Sequence, residues 1–358
     1  MGENMVDTPE TPQAVDRRRK TLIAKGYGMT ETFKALVIDN ADGNYTAGIK
    51  DLTVADLPDE SVLVDVAYST LNYKDGLAIT GKGKIVRSFP MVGGIDLAGT
   101  VLESADSNYK PGDKVLVNGW GLSETMWGGY SQKQRVNGEF ITRVPDGFSL
   151  KDTMAIGTAG YTSMLCVLAL EDAGITPDQG DIVVTGAAGG VGSVAIAVLA
   201  KLGYRVVASS GRTSEADYLK SLGATEVIGR EILDRDARPL EKGRWAGGVD
   251  SVGSRTLATL LAETKNEGAV AACGLAGGTD LPTTVMPFIL RGVRLLGVNC
   301  VTCANERRDE AWSRLVHDLD VSKLADITKV EPLGRLPELG EEILSGTIRG
   351  RVIVDVNA

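Results

Sequence analysis

The sequence predicts an α/β protein with two domains, an all-β domain followed by a doubly wound parallel sheet. Residues 33 to 150 contain short β-branched runs separated by glycine and proline turns, as at Lys34 to Asp39 and Val62 to Tyr68. From about Asp152 the pattern changes, because β-branched runs alternate with amphipathic segments rich in alanine and leucine. That alternation predicts βαβ units with parallel strands. A length of 358 residues also agrees with two cores.

The second domain contains six strand candidates, enough for a complete dinucleotide-binding fold. They are Asp181 to Gly186, Arg205 to Ser209, Glu226 to Ile228, Gly248 to Val252, Gly268 to Ala272 and Val293 to Asn299. The tail ends in a strand at Arg351 to Asp355, which we expect to return to the first domain. We therefore assign residues 29–154 and 300–358 to the first domain and residues 155–299 to the second. Residues 1–28 are expected to form a flexible extension, with Met29 as a natural start.

Composition and charge exclude several classes of partner. A formal net charge of -9 argues against a nucleic acid or an anionic membrane, since either would need an extended basic face. The longest apolar runs, such as Met164 to Leu170, are far shorter than the ~20 residues that span a bilayer. The four cysteines are too few and too scattered for a disulfide framework, so we expect a cytoplasmic protein.

The most informative segment is the glycine-rich turn at Val183 to Gly192, which reads V-V-T-G-A-A-G-G-V-G. Gly186, Gly189 and Gly192 recur every three residues between a predicted strand and a predicted helix. Glycine allows the tight bend there and lets a diphosphate approach the backbone, while the amino end of the helix faces the anion. The turn therefore predicts a dinucleotide site.

The end of the next strand indicates which dinucleotide binds. A site specific for NAD usually has an acidic residue there for the ribose hydroxyls, but this chain reads Ser209-Ser210-Gly211-Arg212. A hydroxyl and a guanidinium suit the 2′-phosphate of NADPH. The alternative is a helix cap at Ser210 beside a solvated arginine. We expect NADPH.

This layout resembles the medium-chain dehydrogenase/reductase superfamily, with a GroES-like β-barrel catalytic domain and a Rossmann cofactor domain. Zinc-dependent members have Cys and His ligands after an early strand and a Gly-His-Glu motif further on. This chain instead reads Leu71-Asn72-Tyr73-Lys74-Asp75 and Gly93-Gly94-Ile95-Asp96, and its single histidine is His317, in a predicted helix. We therefore expect chemistry without a metal.

The chain is more similar to the acrylyl-CoA reductase group, which includes quinone oxidoreductases of the YhdH/AcuI type. The resemblance covers residues 33 to 357, and its most specific stretches are S-T-L-N-Y-K-D-G-L-A-I-T-G (69–81), V-T-G-A-A-G-G-V-G-S (184–193), S-G-R (210–212), W-A-G-G-V-D-S-V-G (245–253) and C-G-L-A-G-G-T-D-L-P-T-T-V-M-P-F-I-L-R-G-V-R (273–294). It implies NADPH contacts at Tyr73, Ala188, Gly189, Gly190, Val191, Ser210, Gly211, Arg212, Arg230, Leu275, Ile289 and Cys300.

The resemblance also implies an activity, the NADPH-dependent reduction of acrylyl-CoA to propionyl-CoA by hydride transfer to the β-carbon. Negative charge would then collect on the thioester oxygen, which needs hydrogen-bond donors. The candidate catalytic residues are Tyr73, through its hydroxyl, and Asn72, through its amide. Either Tyr73 or water could then protonate the α-carbon. Asp75 is expected to cap a short helix.

The sequence leaves several alternatives open. An NADPH:quinone oxidoreductase and a non-catalytic NADPH-binding sensor or structural protein would use the same cofactor domain. The loop with Lys82, Lys84 and Arg87 either meets the phosphates of CoA or is simply solvated. Trp127 either lines the substrate cleft, together with Met126, or packs in the core. A strand at the sheet edge near Val293 to Asn299 suggests a homodimer formed by edge pairing.

Overall fold

The structure is a computed structural model that describes residues 31–358. The predicted extension at residues 1–28 and the start at Met29 lie outside the described residues.

The first part of the chain builds a small antiparallel sheet. It contains β1 (Thr32–Ala41), β2 (Asn44–Thr53) and β4 (Met91–Val92), in the order β2, β1, β4. Asp42 and Gly43 join the first two strands, and both have positive φ, 53° and 81°. Asp-Gly is a favoured pair for such a two-residue hairpin turn. The sequence analysis predicted β1 but missed β2.

A seven-stranded sheet completes the β-domain and includes the end of the chain. Its strands are β3 (Val62–Leu71), β5 (Asp96–Ser104), β6 (Lys114–Asn118), β7 (Lys133–Val136), β8 (Thr142–Arg143), β15 (Thr328–Pro332) and β16 (Arg351–Asp355). Strand β16 pairs antiparallel with β3, so the predicted return of the tail to the first domain is confirmed.

The parallel sheet predicted for the second domain is present and contains six strands. They are β9 (Ile182–Val184), β10 (Val206–Ser210), β11 (Glu226–Gly229), β12 (Trp245–Asp250), β13 (Thr264–Ala272) and β14 (Arg294–Gly297). Their order is β11, β10, β9, β12, β13, β14, which confirms the predicted doubly wound fold class. The order reverses direction between β9 and β12, and in such sheets ligands bind at the carboxyl ends of the strands beside that point.

Nine α-helices accompany the sheets in residues 31–358. They are α1 (Tyr73–Thr80), α2 (Leu150–Asp172), α3 (Gly190–Lys201), α4 (Ala216–Leu222), α5 (Ser254–Ala262), α6 (Met286–Arg291), α7 (Asn305–Asp318), α8 (Ser322–Ile327) and α9 (Leu336–Leu344). Helix α2 is long and apolar enough to cross a membrane by length and composition, but 94% of its most apolar window is buried inside the fold. Those features therefore fit a core helix.

Helix α2 is broken at Gly157, where the backbone has a φ of 53°. A β-carbon at this position would lie 2.4 Å from the Nη2 atom of Arg351 and 3.1 Å from a carboxylate oxygen of Asp96. The Thr158 N–H, which follows the break, donates to that carboxylate at 3.0 Å. The break therefore leaves room for the side chains of Arg351 and Asp96, and the Asp96 carboxylate caps the helical segment that follows the break.

Buried Arg308 fastens helix α7 to the loop that follows β6. Its guanidinium donates to the Asn118 carbonyl at 2.9 Å and to the Cys300 carbonyl at 3.3 Å. It also lies 4.7 Å from the ring centre of Trp120 and 4.9 Å from that of Tyr161. The chain segment after β14 is thereby fixed against the β-domain.

Candidate active site

The glycine-rich turn has the geometry expected for holding a diphosphate. Gly186 adopts a φ of 57°, and a β-carbon on Gly192 would lie 2.5 Å from the Gly186 carbonyl oxygen. Helix α3 begins at Gly190 after Gly189, which provides no side-chain cap. Within residues 31–358 the N–H groups of Gly190, Val191 and Gly192 have no hydrogen-bond partner. An anion at this helix terminus would therefore satisfy them.

Two arginines lie at the carboxyl end of β10, where the 2′-phosphate of NADPH was predicted. The guanidinium of Arg212 donates to the carbonyls of Thr347 and Ile348, at 3.0 and 3.1 Å. The guanidinium of Arg230 lies over Gly211, where a β-carbon would come within 2.4 Å of its Nε. No hydrogen-bond partner of the Arg230 guanidinium is found in the described chain. Arg230 therefore offers its donors, whereas Arg212 is engaged with the tail.

The remaining predicted cofactor contacts lie on several different segments. The Ala188 carbonyl accepts the N–H of Gly350 at 3.0 Å. Leu275 follows β13 and is 55% exposed, and Ile289 on α6 is 71% exposed. Cys300 is partly buried in the segment after β14. These contacts stay predictions.

Asn72 and Asp75 together cap the start of α1. Asn72 is the N-cap, and the expected capping role of Asp75 takes the form of a capping box, because the Asp75 carboxylate at the third helical position accepts the Asn72 backbone N–H at 2.9 Å. The Asn72 side-chain amide donates to Asp75 at 3.2 Å and to Asp96 at 2.8 Å. These two bonds use both amide hydrogens, which argues against Asn72 as a direct donor to substrate.

Arg351 connects this network to the glycine-rich turn. Its buried guanidinium donates to the Asn72 side-chain oxygen at 3.2 Å, to the Thr70 hydroxyl at 2.5 Å and to the Ala155 carbonyl at 3.1 Å. A β-carbon on Gly190 would lie 2.9 Å from its Nη1 atom. The same side chain therefore supports the start of α1 and the start of α3. Nothing in the sequence pattern singled out Arg351.

Tyr73 is the predicted catalytic residue that remains available. It is the first residue of α1, directly after the Asn72 cap, and 40% of it is exposed. Its hydroxyl has no hydrogen-bond partner in the described part of the chain. The phenol can therefore donate to a ligand in the cleft without breaking an existing bond.

The three cations of the predicted basic loop, Lys82, Lys84 and Arg87, have different surroundings. Lys82 pairs with Glu341 at 2.5 Å, and both side chains are more than half exposed, so Lys82 is directed toward α9. The side chains of Lys84 and Arg87 have no carboxylate partner among residues 31–358. The Arg87 backbone N–H donates to the Glu124 carbonyl at 2.8 Å, which joins this loop to the loop between β6 and β7.

Trp127 packs within the β-domain. Its indole N–H donates to the Pro90 carbonyl at 3.1 Å, and its ring contacts the buried groups around Val37 and Met91. Of the two roles considered for Trp127, the structure favours packing.

Among residues 31–358, no three His, Cys, Asp or Glu side chains gather in a set that could hold a metal ion. His317 is exposed in the last turn of α7.

The buried carboxyl of Asp75 has an unusual protonation equilibrium. Burial, followed by the nearby Asp96, raises the pKa of Asp75 to about 7. Hydrogen bonds donated by Asn72 and Ile95 act in the opposite direction. The folded-state pKa lies above the ordinary value near 3.9. At pH values between these two pKa values, the native state therefore binds more protons than the unfolded state. The contribution of Asp75 to stability is therefore lost as pH rises from about 4 to about 7.

We predict that Asp75→Asn flattens this pH dependence. Between about pH 5 and pH 7 the wild-type free energy of unfolding should fall by roughly 2 kcal/mol more than that of the variant. Urea denaturation at several pH values measures both slopes, with Asp236→Asn, at a 95% exposed side chain, as the control. Parallel slopes for wild type and Asp75→Asn would contradict the raised pKa.

Comparisons with known proteins agree with this architecture. A family model described as alcohol dehydrogenase GroES-like domain matches residues 58–167, and one described as zinc-binding dehydrogenase matches residues 190–317. The chain is 53% identical over 324 residues to the probable acrylyl-CoA reductase AcuI of Escherichia coli strain K12, covering 90% of this chain and 100% of that protein. It is 52% identical over 329 residues to the acrylyl-CoA reductase AcuI of Ruegeria pomeroyi, covering 91% and 100%.

Solved structures give the same result. The E. coli K-12 YhdH structure with bound NADPH matches with a TM-score of 0.89 at 53% identity, covering 90% of this chain and 100% of that one. The Bacillus subtilis YhfP structure with NAD bound matches with a TM-score of 0.88 at 43% identity, covering 91% and 100%. The chain belongs to the acrylyl-CoA reductase family of the medium-chain dehydrogenase/reductase superfamily.

Proposed function

We propose that this protein reduces acrylyl-CoA to propionyl-CoA with NADPH, adding hydride to the β-carbon. The observation that carries the proposal is the position of Arg351, which lies against both the diphosphate turn at Gly190 and the helix start that presents Tyr73. A cofactor on the turn and a substrate beside Tyr73 would therefore share one cleft. The names of two relatives more than 50% identical support this substrate.

The choice of NADPH rests on the end of β10. The strand ends in Ser209-Ser210, with Gly211 and Arg212 following, so no carboxylate stands where NAD ribose hydroxyls would be held. Arg230 has free donors beside Gly211, and a 2′-phosphate would give them an anionic partner. A relative solved with NADPH supports this choice, while the relative solved with NAD makes it worth testing.

We predict that Arg230→Ala weakens NADPH binding about 10- to 100-fold and changes NADH binding less than about twofold, because a hydrogen bond to a charged group contributes roughly 1.5–3 kcal/mol. Arg212→Ala should have a smaller effect on NADPH, since Arg212 must first leave two carbonyls of the tail. Calorimetric titration with both cofactors measures this, and Arg205→Ala, before β10, is the matched control. Equal losses for NADPH and NADH would exclude Arg230 from the 2′-phosphate site.

In this proposal the protein supplies orientation and hydrogen bonds, while bound NADPH supplies the hydride. Tyr73 donates its hydroxyl proton in a hydrogen bond to the thioester oxygen, and that bond strengthens as negative charge develops there. Asn72 fixes where α1 begins and thereby places Tyr73. Residues 155–299 would hold the cofactor, and residues 29–154 with 300–358 would form the substrate side of the cleft.

The acyl-CoA substrate is favoured over a quinone by the charge beside the cleft. Arg87 and Lys84 are exposed, and neither has a carboxylate partner in the described chain. The CoA diphosphate would provide an anionic partner for both side chains, whereas a quinone offers no anion. Lys82, already paired with Glu341, is not part of this proposed contact.

The test is NADPH consumption with acrylyl-CoA, crotonyl-CoA and benzoquinone offered in parallel. We expect efficient turnover with acrylyl-CoA and little with the other two. Tyr73→Phe should lower kcat about 10²-fold, the usual cost of one oxyanion donor. Tyr204→Phe is the matched control, because the Tyr204 hydroxyl donates to the Ile175 carbonyl in the cofactor domain. Preference for benzoquinone, or no turnover, would overturn the proposed function.

We also propose a cytoplasmic homodimer that pairs along β14. This strand is the last in its sheet within the described residues, and Val285, Ile289 and Leu290 are exposed on the adjacent helix and the turn before it, at 64%, 71% and 58%. An exposed apolar group beside a free strand edge is typical of an association surface. Light scattering should give twice the chain mass, and Leu290→Glu should halve it. A monomeric wild type would contradict the proposal, as would periplasmic recovery in fractionation.

A further inference from the structure

We infer that Lys74 is the catalytic residue that protonates the substrate α-carbon, and that Glu124 holds its ammonium in the cleft. The inference rests on the proposed function, because a reduced enoyl thioester is the species that needs this proton. It adds a proton donor to the hydride transfer and to the hydrogen bond from Tyr73.

The first observation is the position of Lys74. It is the second residue of α1 and directly follows Tyr73, so the two side chains leave the same helix turn. Its ammonium forms an ion pair with Glu124, and the two side chains are only 27% and 24% exposed. An ammonium held in a sheltered place beside Tyr73, the proposed oxyanion donor, can reach a ligand there without first becoming ordered.

The second observation is that Glu124 belongs to a loop fixed against the cofactor side of the cleft. The N–H of Trp120 in this loop donates to the Val301 carbonyl at 3.0 Å. A β-carbon on Gly119 would lie 3.3 Å from the Cys300 carbonyl oxygen. Cys300 is one of the positions predicted to contact NADPH. The ion pair of Lys74 and Glu124 therefore joins α1 to the wall that would face the nicotinamide.

The charges around Lys74 come from four segments of the chain. Burial lowers the pKa of Lys74, and Arg87 in the loop after α1 acts in the same direction. Asp75 on α1 and Cys300 after β14 act in the opposite direction, and Glu124 faces the ammonium from the loop after β6. The ammonium therefore loses its proton at a lower pH than an exposed lysine would. It is a stronger acid than an ordinary lysine, yet still charged below that pKa.

In the proposed step, the Lys74 ammonium protonates the enolate that hydride addition leaves. Hydride adds to the β-carbon, and the π electrons of the double bond move toward the thioester oxygen to give an enolate. One N–H bond of the Lys74 ammonium then breaks, its electron pair stays on Nζ, and the proton forms a C–H bond at the α-carbon. Water returns a proton to the neutral amine. The two electrons gained by the substrate come from the nicotinamide as hydride.

Other nearby groups are less suited to this step. Both amide hydrogens of Asn72 are used by Asp75 and Asp96. The carboxyl of Asp75 is fully buried beneath Asn72, so it cannot touch a ligand. The hydroxyl of Tyr73 is assigned to the thioester oxygen. Lys74 is the remaining donor on this helix turn.

The test is Lys74→Arg, which keeps the positive charge and a partner for Glu124 but holds its proton too tightly to transfer it. We expect kcat to fall about 10²- to 10⁴-fold, while the NADPH Kd and the acrylyl-CoA KM change less than about threefold. Lys50→Arg, on β2, is the matched control and should keep wild-type kcat. Wild-type kcat in Lys74→Arg would overturn the inference.

Two further readouts separate proton transfer from a structural role. Wild-type kcat should fall as pH rises through the pKa of Lys74, and Glu124→Gln should move that fall to lower pH, because it removes an anion that stabilises the ammonium. In deuterium oxide, the wild-type product should carry α-deuterium of a single handedness, and Lys74→Arg should give both. An unshifted pH profile in Glu124→Gln, or an unchanged handedness in Lys74→Arg, would contradict the assignment.

A measurement on the cofactor-free protein completes the test. Competitive acetylation at increasing pH, read by mass spectrometry, should give Lys74 a lower midpoint than Lys50. Identical midpoints would overturn the inference. Failure of the proposed function is distinct, since it would appear as wild-type protein that does not consume NADPH with acrylyl-CoA.

Discussion

The architecture of the cleft depends on one buried guanidinium, that of Arg351. A buried charge is costly unless all its donors are satisfied, and the acceptors here come from the end of β3, the α1 cap and the helix broken at Gly157. The same side chain lies against Gly190 at the start of α3. The last strand of the chain therefore sets the distance between the cofactor turn and the catalytic helix.

The local patterns of the sequence were sufficient to predict the fold class. The six parallel strands and the glycine turn were predictable because a few consecutive residues are enough to indicate each of them. The indications are β-branched runs for the strands and glycine spacing for the turn. Strand β2 was missed because its outward face is largely polar and exposed, so it lacks the apolar alternation of a half-buried strand. The break at Gly157 was also invisible, since its cause is two side chains from distant strands.

The site was predictable in its residue types but not in its pairings. Asn72 was expected to offer its amide to substrate, yet Asp96, 24 residues further on, and Asp75 take both hydrogens. Lys82 was grouped with Arg87 by sequence proximity, but Glu341, from the far end of the chain, binds it. The ion pair of Lys74 and Glu124 likewise spans 50 residues. Each of these contacts depends on tertiary structure, which residue spacing does not encode.

The central claim is that a hydride passes from the cofactor domain to the β-carbon of a substrate held beside Tyr73. The most direct measurement is to supply NADPH deuterated at the reactive C4 position and to locate the label in propionyl-CoA by NMR. The account predicts one deuterium at the β-carbon, with none delivered by the cofactor to the α-carbon. Label at the α-carbon, or unlabelled product, would contradict it.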